Sequence, residues 1–145
     1  MSQDELKAKI LDEMKVGYSN SLEKNYELAK KFIRITSEGK IDVIVKDNIN
    51  GVDKIALYLI GKRYAYRADL TKTEYVNNTE LLNELGIKEG SLFYWLKELR
   101  DKNIIIEDKK NKREILHAIA LNAIEMILKE VDNMLNNQQK TNKNK

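Results

Sequence analysis

The stretch that decides the fold is residues 77–106, which read NNTELLNELGIKEGSLFYWLKELRDKNIII. Asn77 followed by Glu80 three residues later is the pattern of a capping box, so a short helix is predicted to begin here. Gly86 suits the left-handed backbone conformation that commonly ends a helix. These signals predict one short helix over residues 78–85, followed immediately by a turn.

A second helix is predicted directly after that turn, because leucines recur at spacings of four and three residues, which place them on one helix face. These leucines are Leu92, Leu96 and Leu99. The isoleucines at 104–106 then change the pattern from helical to extended. Two short helices joined by a tight, glycine-containing turn form a helix-turn-helix.

This segment resembles the winged helix-turn-helix superfamily of transcriptional regulators over roughly residues 52–119. The motifs that carry the resemblance are ELLNELGI at 80–87, GSL at 90–92, LKEL at 96–99 and III at 104–106. In that superfamily the second helix enters the DNA major groove, and the following β-hairpin, the wing, touches the backbone or the minor groove. The resemblance implies a mainly α fold with a small β-hairpin wing.

The rest of the chain places elements on both sides of this segment. Capping patterns at Ser2 and Asn20 predict two N-terminal helices, the second reaching Ile35 or Thr36, and the β-branched run Ile41–Val45 predicts a short strand. Asn50 is predicted to cap a longer, central helix, the first of the winged domain, and 74–76 a small strand before the helix-turn-helix.

The chain is therefore divided into four parts. They are an N-terminal helical extension with a short strand at 1–50, the winged domain at 51–119, a long C-terminal helix at 120–136 and a disordered tail at 137–145.

The C-terminal helix carries an apolar stripe spaced three and four residues apart. Its members are Leu121, Ile124, Leu128, Val131 and Leu135. Because winged regulators often dimerise through a helix after the wing, this stripe is predicted to form a homodimer; packing on the same core is the alternative.

The predicted contacts with double-stranded DNA lie on the second helix and on the wing. The second helix is expected to contribute Lys88, Ser91, Tyr94 and Lys97. The wing is expected to contribute Lys109, Lys110, Lys112 and Arg113. Arg63 and Arg67 could add phosphate contacts. The aromatic run 93–95 departs from the hydrogen-bonding side chains common here in the family. It could instead pack inward through Phe93 and Trp95, or form a protein-binding surface.

Composition excludes several other classes of protein. The chain has no cysteine and a single histidine, His117, so a transition-metal site is not expected and His117 is interpreted as structural or solvent-facing. No phosphate loop or activated nucleophile is present, so neither a cofactor nor catalysis is expected. With no signal peptide and no membrane-spanning apolar run, we expect a soluble, cytoplasmic protein. The net charge of +3 permits nucleic-acid binding without requiring it.

The sequence thus predicts a homodimeric, sequence-specific DNA-binding regulator of transcription. One alternative is a winged-helix module for protein–protein assembly, with residues 93–95 as its contact surface. Another is a regulator that senses a small ligand in a pocket among the N-terminal helices. The sequence does not define the operator or the effector.

Overall fold

A computed structural model describes residues 2–11, 20–111 and 113–143; for residues 110–111 and 140–143 it describes the backbone only. The helices are α1 (Gln3–Lys9), α2 (Ser21–Lys24), α3 (Tyr26–Ala29), α4 (Gly51–Arg67), α5 (Asn78–Leu85), α6 (Glu89–Asp101) and α7 (Ile124–Lys143). The strands are β1 (Ile33–Ile35), β2 (Ile41–Val43), β3 (Ile105–Asn111) and β4 (Glu114–Ile119). Short 3-10 turns lie at Lys46–Asn48 and Leu121–Ala123. The fold is mainly helical with small antiparallel hairpins.

Helix α4 is the centre of the hydrophobic core, as its apolar circumference predicts. It begins after Asn50, whose Oδ1 accepts a hydrogen bond from the backbone N–H of Asp53 at 2.8 Å. Side chains on several sides of the helix are fully buried, among them Ile55, Leu57, Leu59 and Ile60. Both hairpins, α6 and α7 pack around it. Helix α4 therefore positions both hairpins, α5, α6 and α7.

The predicted second N-terminal helix is wrong in its last part. Helix α3 ends at Ala29, and Ile33–Ile35 instead forms β1, paired antiparallel with β2 in the register Ile33↔Val43. Alternating Ile33 and Ile35 can bury one face of a strand against α4, and Gly61 permits the close approach. A Cβ at residue 61 would lie 2.4 Å from Cγ2 of Ile41. Residues 22–43 of the extension thus contribute to the core of α4, whereas α1 has no buried residue.

The two helices of the deciding stretch are confirmed, together with the N-cap Asn77 and the terminating glycine Gly86 of α5. Asn77 Oδ1 accepts from the backbone N–H of Glu80 at 2.8 Å, and Gly86 ends α5 in the left-handed region with φ 61°. The predicted strand at 74–76 is reduced to one bridge, in which the N–H of Val76 donates to the carbonyl of His117 at 2.8 Å and the carbonyl of Val76 accepts from the N–H of His117 at 2.8 Å.

In a complete capping box the Glu80 carboxylate would accept a hydrogen bond from the backbone N–H of Asn77. The hydrogen bonds described for Glu80 go elsewhere. Its carboxylate accepts a hydrogen bond from the hydroxyl of Tyr58 at 2.6 Å and from Nζ of Lys62 at 3.1 Å. Both partners lie on α4, where burial, followed by the Glu80 contact, raises the pKa of Tyr58 well above its usual value. The sequence predicted that Glu80 would cap α5. Its carboxylate instead fixes α5 to the central helix α4.

The stripe predicted for dimerisation is buried inside the chain's own core. Ile124, Leu128 and Val131 are 0 % exposed, and Leu121 and Leu135 are partly buried against the same core. The alternative of packing on one domain therefore describes these five positions, because α4 and the N-terminal elements already cover them. Ile124, Leu128 and Val131 are therefore not available to a second copy, and the homodimer is left without an assigned surface.

Helix α7 also continues to Lys143, past the end predicted at residue 136 and into the segment predicted to be a disordered tail at 137–145. Residues 124–143 contain neither glycine nor proline, so nothing in them stops a helix once the stripe has anchored its first turns. Within the described ranges, no helix combines the length and the apolar character required to cross a bilayer.

Candidate functional site

The outer face of α6 carries exposed aromatic side chains. Phe93 is 63 % exposed and Tyr94 is 71 % exposed, and their rings meet edge to face with centroids 5.7 Å apart. Trp95 is turned inward and lies against the start of α4 at Gly51. The inward-packing alternative is therefore right for Trp95 and wrong for Phe93. The inner face of the same helix is closed by its buried leucines.

The N-terminal turn of α6 presents polar groups beside these aromatics. Lys88 is the exposed N-cap residue, and its side chain makes no capping hydrogen bond to the helix. Ser91 is half-buried in the first turn, and Glu89 places a carboxylate there as well. A helix N-terminus attracts anions, but the Glu89 carboxylate opposes part of that attraction.

Cations farther along α6 are paired with carboxylates. Lys97 Nζ lies 3.2 Å from Asp101, and Arg100 lies 2.7 Å from Glu107 on β3. The Lys97 side chain is 57 % exposed, and exposed pairs contribute at most about 1 kcal/mol. Lys97 can therefore exchange Asp101 for a phosphate at little cost. Arg100 is held more firmly, because the side chain of Glu107 is 7 % exposed.

The predicted basic cluster of the hairpin is only partly visible. Lys109 is 69 % exposed, with Nζ 3.9 Å from the carboxylate of Glu107, and Arg113 is also exposed. The side chain of Lys110 and the whole of Lys112 lie outside the described residues. The hairpin that follows α6 therefore carries Lys109 on β3 and Arg113 in the turn before β4.

The phosphate contact suggested for Arg63 is wrong. Its side chain is 9 % exposed, its Nε donates to the carbonyl of Ile119 at 3.1 Å, and its guanidinium lies 2.8 Å from Glu74. These contacts tie α4 to the end of β4 and leave no free donor face. Arg67 is 65 % exposed and lies 3.6 Å from Glu23.

A buried polar cluster beneath α6 was not predicted from the sequence. His117 is 2 % exposed, and its Nε2 lies 2.7 Å from Oδ1 of Asn78 at the start of α5. Directly across the hairpin from it stands Glu107, the partner of Arg100. His117 is therefore structural rather than solvent-facing. The register of the β3–β4 hairpin brings Glu107 and His117 opposite each other. The one signal in the sequence that could have suggested this cluster is that the two residues lie at similar distances on either side of the hairpin turn.

The burial of His117 makes stability depend on pH. Burial lowers the pKa of the imidazole below its ordinary value of 6.5, with Glu107 opposing the shift and Arg100 adding to it. The unfolded chain therefore binds the proton first as the pH falls. Stability contributed by the neutral imidazole is complete above pH 6.5 and is lost progressively as the pH falls from there towards the lowered pKa of the folded state.

We expect the free energy of unfolding to decrease below pH 6.5 with a slope of at most about 1.4 kcal/mol per pH unit from this one group. Urea titrations at a series of pH values above about pH 5, where exposed carboxylates stay ionised, would measure it. His117→Phe should flatten the profile in that window. An equally steep profile in the variant would assign the effect to other groups.

A separate groove lies on the N-terminal side of the molecule. Tyr26, Lys30, Ile33 and Tyr64 line it between α3, β1 and α4, and it has a volume of about 320 Å³. The hydroxyl of Tyr64 donates to the carbonyl of Leu22 at 2.7 Å, and burial raises the pKa of this hydroxyl to about 12. The groove occupies the region where a ligand pocket was suggested, but two of its polar side chains, Lys30 and Tyr64, are already engaged with Glu27 and with the carbonyl of Leu22.

Comparison of the chain with protein-family models, with curated proteins and with solved structures gives no match. In the described ranges, no three histidine, aspartate or glutamate side chains converge as metal ligands would. The interpretation of α6 and its surroundings therefore depends on their geometry and chemistry alone.

Proposed function

We propose that this protein is a winged helix-turn-helix DNA-binding protein that regulates transcription, with α6 docking in the major groove and β3–β4 acting as the wing. One observation carries the proposal. Helix α6 follows α5 after a tight turn at Gly86, buries its leucine face on α4, and keeps its outer face uncovered by the described chain. Groove docking requires a helix held in this way.

The order of the elements supports the same proposal. A central helix, a short bridge at Val76, the α5–α6 pair and an antiparallel hairpin follow one another as they do in winged domains. The bridge joins Val76 to His117 of β4, so the hairpin is anchored beside α5 and α6. A wing must be fixed in that position if it is to contact DNA next to the recognition helix.

Affinity in this proposal comes mainly from phosphate contacts and specificity from Tyr94 and its neighbours. Lys88 and Lys97 on α6 and Lys109 on the hairpin are exposed cations that can reach phosphates. The hydroxyl of Tyr94, which is 71 % exposed, can donate to a phosphate or a base edge. The overall charge of +3 is small, so non-specific affinity should be modest and sensitive to salt.

The double variant Lys97→Ala/Lys109→Ala tests the proposal through salt dependence. Each phosphate contact contributes about 0.9 to the slope of log K against log salt, so the slope should decrease in magnitude by about 1.8. Fluorescence anisotropy with a labelled duplex of mixed sequence, at several salt concentrations, would measure this. Binding at low salt should weaken for every duplex tested, because phosphates carry no sequence information.

Lys129→Ala is the matched control. Lys129 is 63 % exposed and pairs with Glu125 four residues away, as Lys97 pairs with Asp101, but it lies on α7. Its removal changes the net charge by the same amount per residue without touching α6. If the control and the double variant alter the slope equally per charge, or neither alters it, the groove-docking assignment is wrong.

A protein–protein assembly module is the second candidate, favoured by the exposed pair Phe93 and Tyr94. Exposed aromatic groups on a helix are common at the centre of protein interfaces. Selection of bound duplexes from a random pool separates the two functions, because an empty selection at low salt would favour assembly. The proposed homodimer is tested separately by light scattering, where a monomeric mass at micromolar concentration would remove it.

A further inference from the structure

The groove between α3, β1 and α4 has an aromatic wall and an aliphatic wall. The rings of Tyr26 and Tyr64 have centroids 6.5 Å apart and an interplanar angle of 61°. Ala29, Ile33 and Ile35 supply the aliphatic part of the lining. The groove volume of about 320 Å³ lies at the lower end of the range of about 300–1,000 Å³ that is common for small-molecule sites. These surfaces suit one flat, apolar ring system.

The remaining lining residues are two exposed cations, Lys30 and Arg34. Nζ of Lys30 lies 5.3 Å from the centroid of the Tyr26 ring, so this charge is placed beside the aromatic wall. Nη1 of Arg34 donates to the backbone carbonyl of Lys30 and, at 3.1 Å, to that of Ile33. No hydrogen bond among the described residues uses Nε or Nη2 of Arg34. These two nitrogens form an edge of the guanidinium that can bind a carboxylate through two hydrogen bonds.

The groove contains no carboxylate among its described lining residues. Two carboxylates stand beside the cations from outside the lining. Glu27 lies 2.8 Å from Nζ of Lys30, but the two side chains are 79 % and 50 % exposed, and exposed ion pairs are weak. Asp42 is opposite Arg34 in the β1–β2 register, and the described contacts include no salt bridge between them. The lining therefore favours a ligand that carries its own negative charge.

An adjoining groove is less suited to an anion. It shares both tyrosines, and the rest of its described lining is Leu22, Glu23 and Arg67. The Arg67 guanidinium lies 3.6 Å from the Glu23 carboxylate, so its charge is balanced within that groove. The negative charge of a ligand is therefore expected at the other side of the aromatic wall, where Lys30 and Arg34 lie.

We propose that the groove between α3, β1 and α4 binds a small aromatic carboxylate. The ring of the ligand packs between the two tyrosines and Ile33, and its carboxylate accepts hydrogen bonds from Arg34 and Lys30. The site shares no lining residue with α6 or with the β3–β4 hairpin, so the proposal does not depend on DNA binding. Its test uses the full-length protein without nucleic acid.

The probe is 2-naphthoate, and the matched control is 2-naphthamide, which has the same rings and a similar shape but no charge. Isothermal titration calorimetry at low ionic strength, where exposed charges are least screened, would measure both affinities. The carboxylate should bind with one molecule per chain and about tenfold more tightly than the amide. This ratio is the expected effect of hydrogen bonds to a charged acceptor.

Three variants locate the ligand. Arg34→Gln should weaken 2-naphthoate about tenfold and leave 2-naphthamide nearly unchanged, because it removes the charge and keeps the rings. Lys30→Gln tests the second cation at an exposed position whose backbone carbonyl is retained, so the groove is tested even if Arg34→Gln does not fold. Tyr26→Ala should weaken both ligands, because it removes part of the aromatic wall from a residue that is 52 % exposed.

Lys31→Gln is the control for net charge. Lys31 is adjacent to Lys30 and 58 % exposed, but its Nζ lies 3.6 Å from Asp132 on α7 and it does not line the groove. Its replacement should leave both affinities unchanged. The proposal would be overturned by equal affinities for the acid and the amide in the wild type. An equal loss in Lys31→Gln and Arg34→Gln, or unchanged 2-naphthoate affinity in both Arg34→Gln and Lys30→Gln, would also overturn it.

Discussion

Replacing Leu128 with alanine is expected to lower the free energy of unfolding by about 2–5 kcal/mol, the usual result of emptying a filled core position. Leu128 is 0 % exposed within one chain, where it belongs to the same core as α4. The loss should therefore be independent of protein concentration. Urea denaturation at protein concentrations spanning two orders of magnitude would measure both the size of the loss and this independence.

Met126→Ala supplies the control for that experiment, because Met126 lies on the same helix and is 44 % exposed. Its replacement should change stability by no more than about 0.5 kcal/mol, as expected for an exposed position. If the wild-type stability instead rises with protein concentration, while Leu128→Ala removes that rise, the stripe of α7 lies in an interface between copies. The intramolecular packing described above would then be incorrect for the protein in solution.

Gly51→Ala is expected to destabilise the protein by about 1–3 kcal/mol through overpacking, although alanine is normally the better helix former. A Cβ at residue 51 would lie 2.3 Å from Cη2 of Trp95 and 2.4 Å from Cζ2. The indole must move outward, and α6 must move with it or Trp95 must change rotamer. Because Trp95 is the only tryptophan, its fluorescence should shift to longer wavelength as the ring becomes more exposed to water.

A double-mutant cycle with Trp95→Phe isolates this contact. The shorter phenylalanine ring leaves room for the new Cβ, so Gly51→Ala in the Trp95→Phe background should be neutral or slightly stabilising. Chemical denaturation of the four proteins gives the coupling free energy. Additive effects of the two substitutions would show that Trp95 does not rest on Gly51, and the inward placement of this ring would have to be abandoned.

Local signals determined the parts of the fold that the sequence predicted well. Asn50 and Asn77 cap helices because the side-chain oxygen of each accepts a hydrogen bond from the backbone N–H three residues later. This bond depends only on residues that are adjacent in sequence. Gly86 ends α5 because only a residue without a Cβ takes the left-handed conformation freely. The start of α4 and both ends of α5 were predictable for that reason.

Non-local contacts explain what the sequence did not reveal. The helical spacing of the residues before Ile33 extends the predicted helix to Ile35, whereas pairing with Val43 and Ile41 across the turn at 36–40 makes Ile33 and Ile35 a strand. The spacing of Glu80 suggests a cap, but the hydroxyl of Tyr58 on α4 lies 2.6 Å from it and binds it instead. Tyr58 and Glu80 are 22 residues apart in sequence, so periodicity and spacing could not identify that contact.

The candidate site divides in the same way. The sequence alone placed Tyr94 and Lys97 on the outer side of α6 and the leucines on its inner side, because a helix repeats every 3.6 residues. It could not distinguish Trp95, which packs inward, from Phe93, which is exposed, since both adjoin the boundary between those faces. It also could not assign the stripe of α7 to the chain's own core.

What the sequence by itself determined is where helices begin and end and which face of each is apolar, because those properties follow from neighbours within a few residues. Only the tertiary structure decided what covers each apolar face and which buried polar groups meet, as in the pairing of Glu107 with His117 across β3 and β4. The physical reason is that burial and electrostatic interaction depend on distance in space, and chain folding sets that distance.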